Sequence, residues 1–273
     1  MNIPSEIHRR FAESRGFRLS PSVMFAARSG SHSYGTQIVD PNAPVQSDND
    51  AVLVVVPPEN LVYGVAPWTT PYQLQHEDWD VTVYPLSQFI RLLLKGNPSL
   101  ACILWSDDRS IDWVSPHFSK ILECRDSFSS LHLVRAFTGY AAGQFREMEL
   151  TQGRPTGKLG EKRKKLVETY GYDTKNAGHL VRLLRMCLEF LIDGKLRVFR
   201  THDADHLRAI RSGNFSMGEV KEEADRLFRE ISLAIPASSV PEQPDTKFVE
   251  RLMMDCYKNH WGTFPNYQSD VLV

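Results

Sequence analysis

The run Ala51-Val52-Leu53-Val54-Val55-Val56, stopped by Pro57-Pro58, constrains this chain more than any other feature. β-Branched residues suit extended backbone, and six apolar residues without alternation leave no face for water. Such a strand has to lie inside a sheet covered on both faces, so layers of helix must flank it. Its surroundings agree. Residues 23–27 read as a strand running into Ser29-Gly30-Ser31, and residues 80–84 as a strand ending at Pro85. Residues 86–94 read as a helix with Ser87 as its N-cap and Gly96-Asn97-Pro98 as its stop. Residues 3–15 place Ile3, Ile7 and Phe11 on one helix face, and the polar stretch 39–49 reads as a loop.

The second half changes character. Residues 131–150, 158–170, 174–191, 217–235 and 246–260 carry helical periodicity, and a Pro- and Ser-containing connector, 236–244, separates the last two. The expected fold class is α+β. A mixed sheet with flanking helices occupies residues 1–128, and a helical domain occupies residues 129–273. With 42% hydrophobic and 24% charged residues over 273 positions, a sizeable core is available and a disordered or fibrous chain is excluded. Lys+Arg 32 against Asp+Glu 33 gives a net charge of −1, too little for a protein that coats long nucleic acid by charge alone. Cys102, Cys124, Cys187 and Cys256 form no CxxC pair, so they read as reduced thiols rather than a zinc ribbon or disulfide framework. The polar, charged first residues are no signal peptide, and the longest apolar run is too short to span a bilayer. A cytoplasmic protein without membrane partners is expected.

The chemistry concentrates in Ser47-Asp48-Asn49-Asp50, immediately before the apolar strand. Alternate side chains of a strand share a face, so Asp48 and Asp50 project together. Two such carboxylates repel unless a cation lies with them, and hard divalent ions such as Mg2+ or Mn2+ prefer oxygen ligands. Asp80 opens the strand 80–84. If that strand lies beside the apolar one, three carboxylates converge, as two-metal phosphoryl or nucleotidyl transfer requires. Glu77 and Asp78 stand close enough to compete with Asp80 for the third place. Upstream, a strand running into Gly30-Ser31 at a helix start frees backbone N–H groups to hold phosphate.

The ordered set Gly30-Ser31, Asp48 with Asp50, and Asp80 resembles the signature of the polymerase-beta superfamily of nucleotidyltransferases. Closer similarity is to its RNA-repair-associated branch, the RlaP- or YcgL-like predicted nucleotidyltransferases of bacteria and phages. The stretches GSHSYG, SDNDAVLVVVPP, DVTVYPLSQFIRLLLKGNPS, GYDTKNAGHLVRLLRMCLEFL and IRSGNFSMGEV carry it, across about residues 22–235. The segment between Ser31 and Asp48, with its PNAPVQ, is longer than the superfamily pattern. The resemblance implies a nucleotidyltransferase domain and transfer of an NMP from an NTP to an acceptor hydroxyl, with pyrophosphate released. Asp48, Asp50 and Asp80 would be catalytic and hold Mg2+ or Mn2+. Gly30 and Ser31, together with Tyr34 and Ser47, would bind substrate. The acceptor favoured by the resemblance is an RNA or tRNA 3′ end. A protein hydroxyl (adenylylation) and a non-catalytic nucleotide-binding module are the rivals.

Lys175, His179 and Arg182 recur at helical spacing beside the apolar face made by Leu180, Leu183, Leu184, Leu188 and Leu191. If their face looks across the cleft, they meet a triphosphate or nucleic-acid backbone; otherwise it is a solvated face. Lys162-Arg163-Lys164-Lys165 could hold an RNA backbone, though a solvated helix is the plainer reading. His202 and His206 share a helix face but lack a third ligand, and Thr201 or Asp203 reads as a helix cap. Trp68, Trp105 and Trp113 read as core before they read as base-stacking platforms. No GxSxG, P-loop or GxGxxG motif is present.

Overall fold

The computed structural model describes residues 4–38, 42, 49–153 and 159–263. Helix α1 (Ser5–Arg15) and a single turn, α2 (Leu19–Ser22), lead into β1 (Val23–Arg28) and the short helix α3 (Gly30–Tyr34). Strand β2 (Asn49–Val55) carries the apolar run, followed by the turn α4 (Asn60–Tyr63). A hairpin of β3 (Tyr72–His76) and β4 (Trp79–Pro85) runs straight into α5 (Leu86–Leu94). Then come α6 (Pro98–Leu104), β5 (Ile111–Val114) and α7 (Pro116–Glu123). The remaining elements are helical: α8 (Leu131–Leu150), α9 (Glu161–Tyr170), α10 (Thr174–Asp193), α11 (Ala204–Arg211), α12 (Met217–Ala234) and α13 (Thr246–Thr263).

The strands form one mixed sheet in the order β3-β4-β2-β1-β5. Strands β2 and β4 are parallel; the other neighbours are antiparallel. As the apolar run requires, β2 lies inside the sheet and is buried on both sides. Val52 and Val54 face a core built with α5, α6, α8 and α10, whereas Ala51, Leu53 and Val55 face Ile7, Phe11, Phe17 and Trp68. The edge strands β3 and β5 escaped sequence reading because of where they lie. YQLQH buries only Leu74, and IDWV has no fully buried residue.

Helix α10 organises the helical half, packing against α8, α12, α11 and α9. Its start is fixed by Asp173, whose carboxylate accepts from the Asn176 N–H at 3.0 Å, and its end by Gly194 in the left-handed region. Helix α12 opens with a reciprocal capping box between Ser216 and Glu219. Helix α5 departs from expectation: its N-cap is Pro85, not Ser87, because β4 ends directly at the helix start. The Ser87 N–H instead donates to the Tyr257 hydroxyl at 3.2 Å, tying α13 to α5. All four cysteines are free thiols, and Cys102, Cys187 and Cys256 are buried. No helix of the described residues is long and apolar enough to cross a membrane.

Leu184 is fully buried in α10. Replacing it with alanine should lower the unfolding free energy by about 2–5 kcal/mol. Urea denaturation checks this; a loss under about 1 kcal/mol would mean that α10 is not central to the core.

Candidate active site

The parallel pairing of β2 with β4 sets Asn49 opposite Trp79 and Asp50 opposite Asp80. In-register residues of neighbouring strands point to the same face, about 4.8 Å apart along the hydrogen-bonding direction. Asp80 is therefore the acid that shares a face with Asp50. Glu77 occupies the hairpin turn at φ 54°, and Asp78 accepts from the Asn49 side chain. Gln75 donates to the Asp80 carboxylate at 3.3 Å. Ser47 and Asp48 lie outside the described residues.

Strand β1 delivers the Gly-Ser motif to the same place. The Ser29 N–H donates to the Asp50 carbonyl at 2.9 Å. Gly30 follows at φ +62°, and a Cβ there would stand 2.3 Å from Asp50 Oδ2. Both the backbone conformation and the close approach demand glycine. Helix α3 then ends on Gly35, also left-handed at φ 67°.

A cavity of about 330 Å3 opens beside Asp50. One wall is the α3 segment with Ser29, Gly30, Ser31, Tyr34 and Thr36; another is Asp50, Val52, Thr82 and Tyr84. The third comes from the helical half, with Lys175, Gly178, His179 and Arg182 of α10 and Arg211 of α11. The fold thus brings Gly30, Ser31, Tyr34, Asp50, Lys175, His179 and Arg182 together. Asp80 is not in this wall, where Thr82, the next residue of its face, stands instead. Among the described residues no group of three His, Cys, Asp or Glu side chains forms a metal-holding cluster. The oxygen-only chemistry of Asp50 and Asp80 nonetheless fits a hard divalent cation.

Arg182 is only 3% exposed. Its guanidinium lies 3.5 Å from the Tyr34 ring centroid and contacts Met186 Sδ at 3.1 Å and Cys102 Sγ at 3.9 Å. Arg211 donates to the Thr36 carbonyl at 2.5 Å. No ion pair among the described residues involves either arginine. Burial, reinforced by Arg182, pulls the Arg211 pKa down. Their neighbours are treated differently. Arg200, 1% exposed, is gripped by Glu189 at 2.6 Å and Asp203 at 2.8 Å. Arg185 is gripped by Asp203 at 3.0 Å and Glu223 at 2.5 Å.

His179 receives a hydrogen bond from Arg182 at Nδ1, 3.3 Å away. A guanidinium only donates, so Nδ1 is the acceptor and the neutral ring carries its proton on Nε2. That Nε2 is buried without a hydrogen-bond partner among the described residues. Burial, followed by the charges of Arg182, Arg163, Lys175 and Arg211, holds the imidazole well below its usual pKa. Burial likewise pushes the Tyr34 hydroxyl up, so it stays protonated.

With this geometry in place, the comparison with known proteins is decisive at the family level. The chain matches the RNA repair pathway DNA polymerase beta family, RlaP, over residues 5–255. It belongs to that family. No curated protein matches the chain. Among solved structures, a nucleotidyltransferase-like protein from Exiguobacterium sibiricum 255-15 is similar at 10% identity, covering 96% of this chain and 79% of that one with a TM-score of 0.28. The family describes polymerase-beta-type nucleotidyltransferases; in this RlaP chain Asp50 and Asp80 share a sheet face, and Gly30 is fitted against Asp50.

Other sequence candidates go elsewhere. His202 and His206 do not share a ligand: His202 lies 3.2 Å from Glu189 and His206 2.9 Å from Glu223. Asp203 is the N-cap residue of α11, but its carboxylate serves Arg185 and Arg200 rather than the helix amides. In the basic run, Arg163 turns to Asp173 at 3.4 Å and Lys164 to Glu161 at 2.6 Å. Trp68 and Trp105 are buried in the two cores, while Trp113 is exposed and donates to the Val23 carbonyl.

Sequence reasoning missed Arg211 and Gly178. A Cβ on Gly178 would lie 2.6 Å from Arg211 Cγ, so this helix-interior glycine lets Arg211 cross α10. Such a glycine costs about 1 kcal/mol against alanine, which is the signal that could have exposed it.

The buried imidazole has a pH consequence. Near pH 6.5 the unfolded His179 takes up a proton that the folded one refuses, so stability is complete above that pH and falls as pH drops below it. The urea midpoint should decline between pH 7 and 5, and His179→Gln should flatten that part of the profile. An NMR titration showing His179 protonating near pH 6.5 would contradict the assignment.

Proposed function

We propose that this RlaP-family protein transfers an NMP from an NTP to an acceptor hydroxyl, releasing pyrophosphate, and that the acceptor is an RNA end. The observation that carries the reading is the pair of arginines, buried Arg182 and half-buried Arg211, set without described ion-pair partners in the same cavity wall system as Asp50. Buried cations need compensating charge, and a polyphosphate supplies it. The family description supplies the support for RNA.

Asp48, Asp50 and Asp80 would hold divalent metal, Mg2+ by preference. A metal held there would lower the pKa of the acceptor hydroxyl and offset charge on the leaving group. The chain's own groups do the rest. Gly30 and Ser31 offer the β- and γ-phosphates a close backbone approach and a hydroxyl. Lys175, Arg182 and Arg211 neutralise the triphosphate, and the His179 Nε2–H donates to a substrate oxygen. Tyr34 holds the Arg182 guanidinium over its ring. Ser47 stays in the proposed substrate-binding set. The acceptor oxygen bonds to the α-phosphorus while the bond to the bridging oxygen breaks. Asp80 accepts the hydroxyl proton, and pyrophosphate leaves against the cations. In this reading residues 1–128 form the catalytic unit and residues 129–273 the helical unit that closes the cavity.

Transfer from α-labelled NTPs, with total RNA and total protein offered separately, tests it. Label should reach RNA in a metal-dependent way. Asp48→Ala and Asp50→Ala should abolish it while the circular dichroism spectrum is unchanged. Arg182→Met should weaken nucleotide binding by about tenfold or more, the scale of a charge-assisted contact. Wild-type transfer by either aspartate variant would overturn the mechanism, and label on protein alone would replace the acceptor.

A further inference from the structure

Helix α11 reaches the active-site segment twice. Arg208 donates to the Gly35 carbonyl at 2.6 Å, and Arg211, one turn on, donates to the Thr36 carbonyl. Just ahead of α11, the Arg200 N–H donates to the Tyr34 carbonyl at 3.0 Å. Three consecutive carbonyls at the exit of α3 are therefore held by one stretch of the helical half. Gly35 completes the fit, since a Cβ there would lie 2.8 Å from Phe199 Cζ. The stretch is itself anchored by ion pairs of Arg200 with Glu189 and Asp203 and by a hydrogen-bond contact of His206 with Glu223.

Arg208 does not line the cavity, and its other partner is the exposed Asp205 at 2.6 Å. Among the described residues its hydrogen bond to the catalytic half is the one to the Gly35 carbonyl. Gly35 is the C-cap of the five-residue helix, its N–H donating to the His32 carbonyl at 3.2 Å, and the first residue of that helix, Gly30, is fitted against Asp50. We infer that Arg208 is a positioning residue, clasping the end of α3 so that Gly30 and Ser31 keep their register against Asp50 when nucleotide binds. The inference rests on the nucleotidyl-transfer reading for its kinetic consequence but not for its structural one. Phosphate grip by α3 acts on bound substrate and transition state alike, so its loosening raises KM more than it lowers kcat.

The test uses the full chain with Arg208→Leu and Arg208→Lys. Arg208→Leu should raise KM for the NTP about five- to tenfold with a smaller change in kcat. Arg208→Lys, which keeps a charged donor, should recover part of that loss. Hydrogen exchange of the amides of residues 31–36 should quicken in Arg208→Leu, while the β2 amides stay protected. Wild-type KM and exchange in Arg208→Leu would overturn the inference. So would an equal rise in KM for both variants, which would indicate packing alone. If the wild-type protein releases no pyrophosphate with any NTP, the nucleotidyl-transfer reading fails, and exchange at residues 31–36 alone decides the clasp.

Discussion

Taking a guanidinium out of water costs several kcal/mol unless charge and hydrogen bonds replace the lost solvent. This protein meets that cost in two ways within a single helical layer. Arg200 and Arg185 are enclosed by Glu189, Asp203 and Glu223. Arg182 is enclosed by a ring, two sulfurs and a neutral imidazole, none of which carries negative charge. The arginines that build the layer are paired internally, and Arg182 and Arg211, which line the cavity with Asp50, make no ion pair among the described residues. The proposed triphosphate site follows from that asymmetry.

The asymmetry depends on the sheet. Parallel pairing of β2 and β4 places Asp50 and Asp80 on one face, and the antiparallel β1 returns the Ser29-Gly30 corner to the same end. Helix α10 lies across that face because its apolar side belongs to the same core as Val52 and Val54. Sheet and helical half therefore share one core and one cavity. Arg208 and Arg211 add direct links between them at the carbonyls after α3.

Much of this was legible in the residues. Six uninterrupted apolar positions forced an inner strand, and Asp50 and Asp80, singled out from the sequence, share one sheet face. Lys175, His179 and Arg182 announced a face distinct from the leucines, but spacing alone could not say whether it met solvent or the cleft. That depended on where α10 docks, which is a matter of tertiary packing. The edge strands were silent because half-solvated strands need little apolar content. Arg211 was silent because its approach depends on a glycine one helix away. The histidine pair at 202 and 206 looked ligand-like in spacing, yet each imidazole was already committed to a glutamate.

The most direct measurement is a crystal structure grown with Mn2+ and a non-hydrolysable NTP. The account predicts an anomalous peak bonded to the Asp50 carboxylate, with triphosphate oxygens within hydrogen-bonding distance of Arg182 and Arg211. A nucleotide bound away from this cavity, or a triphosphate at Asp50 that leaves both arginines untouched, would contradict it.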